Sequence, residues 1–198
     1  MGKENEGTRV IGGISITKGM GVVMTQVTAI HALINEKMPT VISNPVIQTT
    51  ATIEINAIVD AFMNKTGILK GAYIQLGDLS DILVNEVKRL SGLEIQGKAL
   101  YTSTKTLTHH RTGQKLLRGK VVPMEDFRTL AVDILKMDIY EKSGALVFTD
   151  YKNKYVVKVN QKIKVCKGKD IVANHISSSR VTSSQEFSSG YSPIKKTR

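Results

Sequence analysis

The segment Tyr155–Val165, YVVKVNQKIKV, alternates with a period of two. Val157, Val159, Ile163 and Val165 share one parity, and Lys154, Lys158, Asn160, Lys162 and Lys164 share the other. A strand points successive side chains to opposite faces, so this run predicts a strand with an apolar face in a core and a row of cations outside. Leu146–Thr149 precedes it across the turn DYKNK, and KGKD turns the chain back into Ile171–Ile176. Residues 145–176 therefore read as a three-stranded antiparallel meander with a basic outer face.

The remainder reads mostly as helix. Val23, Val27, Ile30 and Ile34 fall at helical spacing over 22–36, and Ile55, Ile58, Val59 and Phe62 do so over 53–64. A short strand at 72–76 leads to a helix over 79–90, with Asp78 or Ser80 as cap, Lys88 and Arg89 in the last turn, and Gly92 as its stop. A strand at 98–102 leads to a short helix, TKTLTHHR, and Pro123 opens another with Phe127, Leu130 and Ile134 on its buried stripe. The expected fold class is α+β: a small antiparallel sheet, the C-terminal meander, packed against short helices and preceded by a mainly helical N-terminal region. The expected organisation is a packing or assembly region over 1–69, a basic α+β domain over 70–185, and a disordered basic tail over 186–198, where the composition turns polar and Ser-rich.

Charge divides along the same line. Residues 98–198 carry 20 Lys and Arg against 8 Asp and Glu, whereas residues 1–97 carry 8 against 9. A basic half joined to a neutral half predicts a polyanionic partner for the former. The single cysteine, Cys166, excludes an internal disulfide and a multi-cysteine metal site. The polar opening MGKENEGTR lacks the apolar centre of a signal peptide, and the apolar stretch near 21–34 is too short and interrupted for a bilayer span. A soluble cytoplasmic protein with no membrane partner is expected, and aromatic residues at 5% give little sign of a base-stacking platform.

Three constellations bear on chemistry. A zinc site is disfavoured, because His109, His110 and the distant His175 provide no i, i+4 pair. Cys166, between lysines, is a weak candidate nucleophile. The third set joins His109, His110 and Arg111, the lysines Lys158, Lys162 and Lys164, and Arg180 with Thr182 and Ser183. These residue types suit metal-free cleavage of RNA, which carries its own nucleophile in the 2′-hydroxyl. Histidine moves protons near neutral pH, and Arg and Lys hold the phosphoryl oxygens. The plainer alternatives are a surface or capping histidine pair and a polar edge strand. No cofactor is expected, and no metal.

The order of segments AYIQLGDLSDILVNEVKRLSG, KALYTSTKTLTHHR, VPMEDFRTLAVDIL and the Lys-rich meander resembles the phage-associated branch of the barnase–EndoU–colicin–RelE-like nuclease superfamily, over roughly residues 70–185. The resemblance implies helices on a small antiparallel sheet, metal-independent RNase chemistry, and phage or toxin associations. It implies that His109 or His110 matches the helix histidine, that Arg180 with Thr182 or Ser183 matches the terminal-strand polar residues, and that Lys105 is a phosphate ligand. Two functions are expected: a ribonuclease, with RNA favoured over DNA and a protein inhibitor as a natural partner, or a non-catalytic nucleic-acid-binding or assembly protein that oligomerises through residues 10–69.

Overall fold

A computed structural model describes residues 9–11, 14–16, 40–67, 71–108, 119–165 and 169–196. The chain divides into two compact units, 1–38 and 39–198. In the first, β1 (Arg9–Ile11) and β2 (Ile14–Ile16) form an antiparallel pair. The helix expected over 22–36 lies outside the described residues.

The second unit is built on an eight-stranded mixed sheet in the order β10-β6-β7-β8-β9-β5-β4-β3. The strands are β3 (Val41–Ile42), β4 (Tyr73–Leu79), β5 (Ala99–Ser103), β6 (Asp138–Lys142), β7 (Ala145–Thr149), β8 (Asn153–Val165), β9 (Lys169–Val181) and β10 (Ser192–Lys195). This corrects the expected small sheet preceded by a mainly helical region. The meander is present as β7-β8-β9, but it is the middle of a larger, curled sheet. The reason is non-local pairing. Strands β3, β4 and β5 extend the sheet on one side, and β6 and β10 extend it on the other. Strand β10 lies within residues 186–198, expected to be a disordered tail, and the 3-10 turn at Ser184–Ser188 runs into them.

All neighbouring strands run antiparallel except β5 and β9, which pair in parallel over Leu100↔Asn174 and Tyr101↔His175. That seam joins two antiparallel halves. It is stitched by side chains: Asn174, fully buried, donates from Nδ2 to the carbonyls of Gly97 (2.6 Å) and Ala99 (3.3 Å). Asn160 adds a second stitch, accepting from the Gln96 amide at 2.8 Å and donating to the Glu94 carbonyl at 2.7 Å.

One face of the sheet is covered by helices. Helix α1 (Pro45–Met63) starts with Pro45 at its first position and Asn44 as cap, whose side chain accepts from the Ile47 amide at 2.8 Å. It buries Ala51, Ile55 and Val59, four residues apart. Helix α2 (Asp81–Ser91) is capped by Ser80 and closed by Gly92 at φ 71°. Leu83 and Val87 face the same core. The third buried layer is Pro-initiated, but a 3-10 turn (Met124–Phe127), a short α-turn (Leu130–Asp133) and a second 3-10 turn replace the single helix expected there. Together these cover Leu76, Leu100, Ile139, Phe148, Tyr155, Val157 and Ile176, and each such side chain contributes about 1.5–3 kcal/mol when fully buried.

The other face, called outer below, carries two smaller clusters, Tyr101 with Ile163 and Ala173, and Tyr140 with Val147 and Phe187. Strand β8 changes faces between them. Lys158 opposes His175, but Gln161 opposes Ala173, so three steps on β8 match two on β9. The extra residue is accommodated at Asn160, at φ 53°. Val157 and Val159 consequently join the helix-covered core, while Ile163 and Val165 join the outer cluster. The continuous row of lysines expected from the alternation is broken: Lys158 lies on the outer face, and Lys162 and Lys164 lie on the opposite one.

The seam leaves no space at Gly97, where an added Cβ would sit 2.2 Å from the backbone oxygen of Val172. Gly97→Ala is expected to lower unfolding free energy by about 1–3 kcal/mol in urea denaturation. Gly67→Ala, where a Cβ meets nothing within 4 Å, is expected to change it by less than about 0.5 kcal/mol.

Candidate functional site

The parallel seam places a cleft of about 300 Å³ at one end of the outer face, lined by Gly71, Tyr73, Ser103, Lys105, Thr106, His175 and Ser177. Strand β5 ends at Ser103 and passes directly into α3 (Thr104–Thr108). Ser103 Oγ accepts from the Thr106 amide at 3.2 Å and lies 3.0 Å from Thr106 Oγ1. Thr106 Oγ1 in turn donates to the Ile176 carbonyl on β9 at 2.7 Å. These bonds fix the α3 turn against the strand that bears His175.

His175 Nε2 lies 3.2 Å from Ser103 Oγ and 3.4 Å from Thr106 Oγ1. Thr106 spends its proton on Ile176, so it meets Nε2 as an acceptor. Ser103 Oγ, the nearer partner, retains a proton that it can give to Nε2. Tyr73 packs edge-on against the imidazole at 5.3 Å. Burial lowers the His175 pKa, and the positive charge of Lys158 lowers it further. A neutral imidazole at pH 7 follows, flanked by Lys105 on α3 and Lys158 on β8. Chemically, such a cleft can hold an anionic group near a free base.

The outer face continues to a second feature. Glu186, on the 3-10 turn after β9, accepts from Lys154 and Arg180, from Tyr191 Oη at 3.0 Å, and from Thr182 Oγ1 at 2.7 Å. Burial alone would raise its pKa; the hydrogen bonds from Lys154, Thr182 and Tyr191 and the charge of Lys154 outweigh this and bring it to about 2. The Lys154 side chain is only 4% exposed, so Glu186 is its needed counter-charge. This knot holds the segment that follows β9 against the sheet. Beside it is a depression of about 610 Å³, lined by Tyr140, Tyr151, Thr182, Ser183, Ser184, Phe187, Ser188 and Lys196.

The residues singled out from sequence are therefore dispersed. Lys105 lines the His175 cleft and Lys158 faces it across the strands. Lys162 and Lys164 are on the other face. Arg180 and Thr182 are bound to Glu186, and Ser183 lines the depression. His109, His110, Arg111 and Cys166 lie outside the described residues. Sequence reasoning passed over His175 as a lone distant histidine, and passed over Glu186 altogether. The signal available was the polar run NHISSS within an apolar-bounded strand; its meaning depends on a partner, β5, that lies about seventy residues earlier. Among the described residues no group of three or more His, Cys, Asp or Glu is arranged to hold a metal ion. Comparison with protein-family models, with curated proteins and with solved structures returned no match.

The knot has a signed pH dependence. Because the folded-state pKa of Glu186 is below its ordinary value of 4.5, its contribution is fully present above about pH 4.5 and is lost as the pH falls toward 2. Glu186→Gln is expected to cost about 2–3 kcal/mol at pH 7, less than a fully buried pair because Glu186 is 28% exposed. It is also expected to flatten the stability profile between pH 4.5 and 2, as read from denaturant midpoints across that window.

Proposed function

We propose that the protein is a metal-independent ribonuclease that binds RNA on the outer face of its sheet and cleaves it at the His175 cleft. The observation that carries this reading is a histidine whose pKa is lowered by burial and by the charge of Lys158, set in a cleft that Lys105 also lines. RNA cleavage needs a base for the 2′-hydroxyl proton, cations for the charge that develops on the phosphoryl oxygens, and an acid for the departing 5′-oxygen. His175 serves as the base, and Lys105 and Lys158 hold the phosphate. His109 or His110, which follow the cleft-lining α3 in sequence, supplies the acid.

The distribution of aromatic residues supports RNA in particular. Five of the six tyrosines, Tyr73, Tyr101, Tyr140, Tyr151 and Tyr191, belong to the outer-face clusters or line the cleft. Tyr101 and Tyr140 are buried within these clusters, and Tyr73, Tyr151 and Tyr191 are the partly exposed rings on which unpaired bases can stack. The low aromatic content thus underrates the surface, because most of the tyrosines are gathered on one face. Among the described residues no helix is long and apolar enough to cross a membrane.

The test is cleavage of total and transfer RNA in excess EDTA. Wild type is expected to cleave, and His175→Ala is expected to lose about 10²–10⁴-fold of the rate while still binding RNA. Lys105→Ala is expected to weaken binding and to reduce its salt dependence by about one phosphate contact. RNA binding without cleavage in the wild type would overturn the catalytic reading. It would favour a binding or assembly protein, for which α1 provides an apolar outer surface at Val46, Ile53 and Met63, exposed by 74%, 63% and 53%.

A further inference from the structure

The depression beside the Glu186 knot is not needed for the chemistry at His175, and its lining is unlike that of the cleft. Phe187 stacks on Tyr140 at 4.8 Å, and Tyr151 stands edge-on to Phe187 at 5.6 Å. Tyr151 is the half-buried member, so its ring is the one open to a ligand. It is held in place from behind. Its hydroxyl donates to Asp138 at 2.5 Å and lies 2.8 Å from the Tyr140 hydroxyl. The rim is polar: Ser183 and Ser184 present hydroxyls, Ser188 donates its own to the Gln185 carbonyl at 2.7 Å, and Lys196 presents an ammonium group.

We propose that this depression is a nucleoside-binding subsite, in which an unpaired base lies on Tyr151 and its ribose and phosphate meet the serine rim and Lys196. The proposal rests on the ribonuclease reading of the His175 cleft. Three observations favour a nucleoside. The volume, about 610 Å³, falls in the range of sites that enclose small organic ligands. The wall is aromatic and rigid, which suits a flat π-face of any base, while the rim suits a polyol phosphate. The position continues the path of β9: Thr182 follows His175 by seven residues, about 23 Å along an extended strand. An RNA strand with a phosphate at His175 therefore reaches the depression within a few nucleotides on the same face. Because stacking accepts every base, the subsite selects for single-stranded RNA without strong base preference.

The experiment is a nuclear magnetic resonance titration of the full chain with adenosine 5′-monophosphate and, separately, with inorganic phosphate, following the ring resonances of Tyr151, Phe187 and His175. The nucleotide is expected to shift Tyr151 and Phe187 saturably, and phosphate alone is expected to shift His175 without moving them. Tyr151→Ala is expected to weaken the nucleotide by roughly 5- to 150-fold. Since Tyr151 also bonds Asp138, the exposed Ser184→Glu serves as a second variant; it places a negative charge on the rim and is expected to weaken the nucleotide while leaving the folded spectrum intact. Shifts confined to His175, or no shift at millimolar nucleotide, would overturn the subsite and leave the cleft reading standing. Saturable shifts at Tyr151 together with undiminished RNA cleavage by His175→Ala would uphold the subsite and overturn the cleft reading.

Discussion

The parallel pairing of β5 with β9 is the constraint on which this protein turns. It spans two residue pairs, yet it is the junction between two antiparallel half-sheets that the chain builds from distant segments. Two pairs of backbone contacts are a thin seam. Asn174 and Asn160 reinforce it by bonding three carbonyls and an amide between Glu94 and Ala99. Gly97 permits the close approach. The same junction positions the cleft: His175 sits one residue from Asn174, opposite Tyr101, and its hydroxyl partners come from the β5–α3 turn on the far side of the seam. Stability of the junction and geometry of the candidate site are thus one problem.

The bulge at Asn160 has a second consequence. By switching the faces of β8, it lets a strand of thirteen residues contribute Val157 and Val159 to the helix-covered core and Ile163 to the outer cluster. It also separates the lysines, leaving Lys158 beside His175. Lys154 is neutralised by Glu186. The outer face therefore presents a few positioned cations among tyrosines, where the sequence suggested a uniform basic surface. A net charge of +11 attracts any polyanion at long range; in the reading proposed above, placement of RNA comes from the face.

Local structure was legible where one segment carries its own signal. The Ser80 cap and Gly92 stop bound α2, the Val157/Val159 alternation marks β8, and the DYKNK turn closes the β7–β8 hairpin. What failed is what depends on partners. A short apolar run such as 73–79 reads alike whether it lies beside a helix or inside a large sheet. The tail at 192–195 is too short to announce a strand without β6 beside it. The β6–β7 hairpin did have a local mark, Ser143–Gly144, with both residues at positive φ, although β6 was not among the expected strands. In the site, Lys158 stood out by charge, and Lys105 through the family resemblance. His175 did not, because its neutrality and its hydroxyl partners arise only from burial at the seam. Arg180 stood out for the same reason as Lys158, and the carboxylate that occupies it lies six residues on, in a Ser-rich stretch with no periodic pattern.

The claim that the outer face is the working face is tested most directly by photo-crosslinking a uridine-containing single-stranded RNA to the protein and mapping the linked residues by mass spectrometry. The account predicts links at Tyr73, His175 and Tyr151, which share that face. Links confined to α1, α2 and the Lys162–Lys164 stretch would place RNA on the opposite side of the sheet and contradict it.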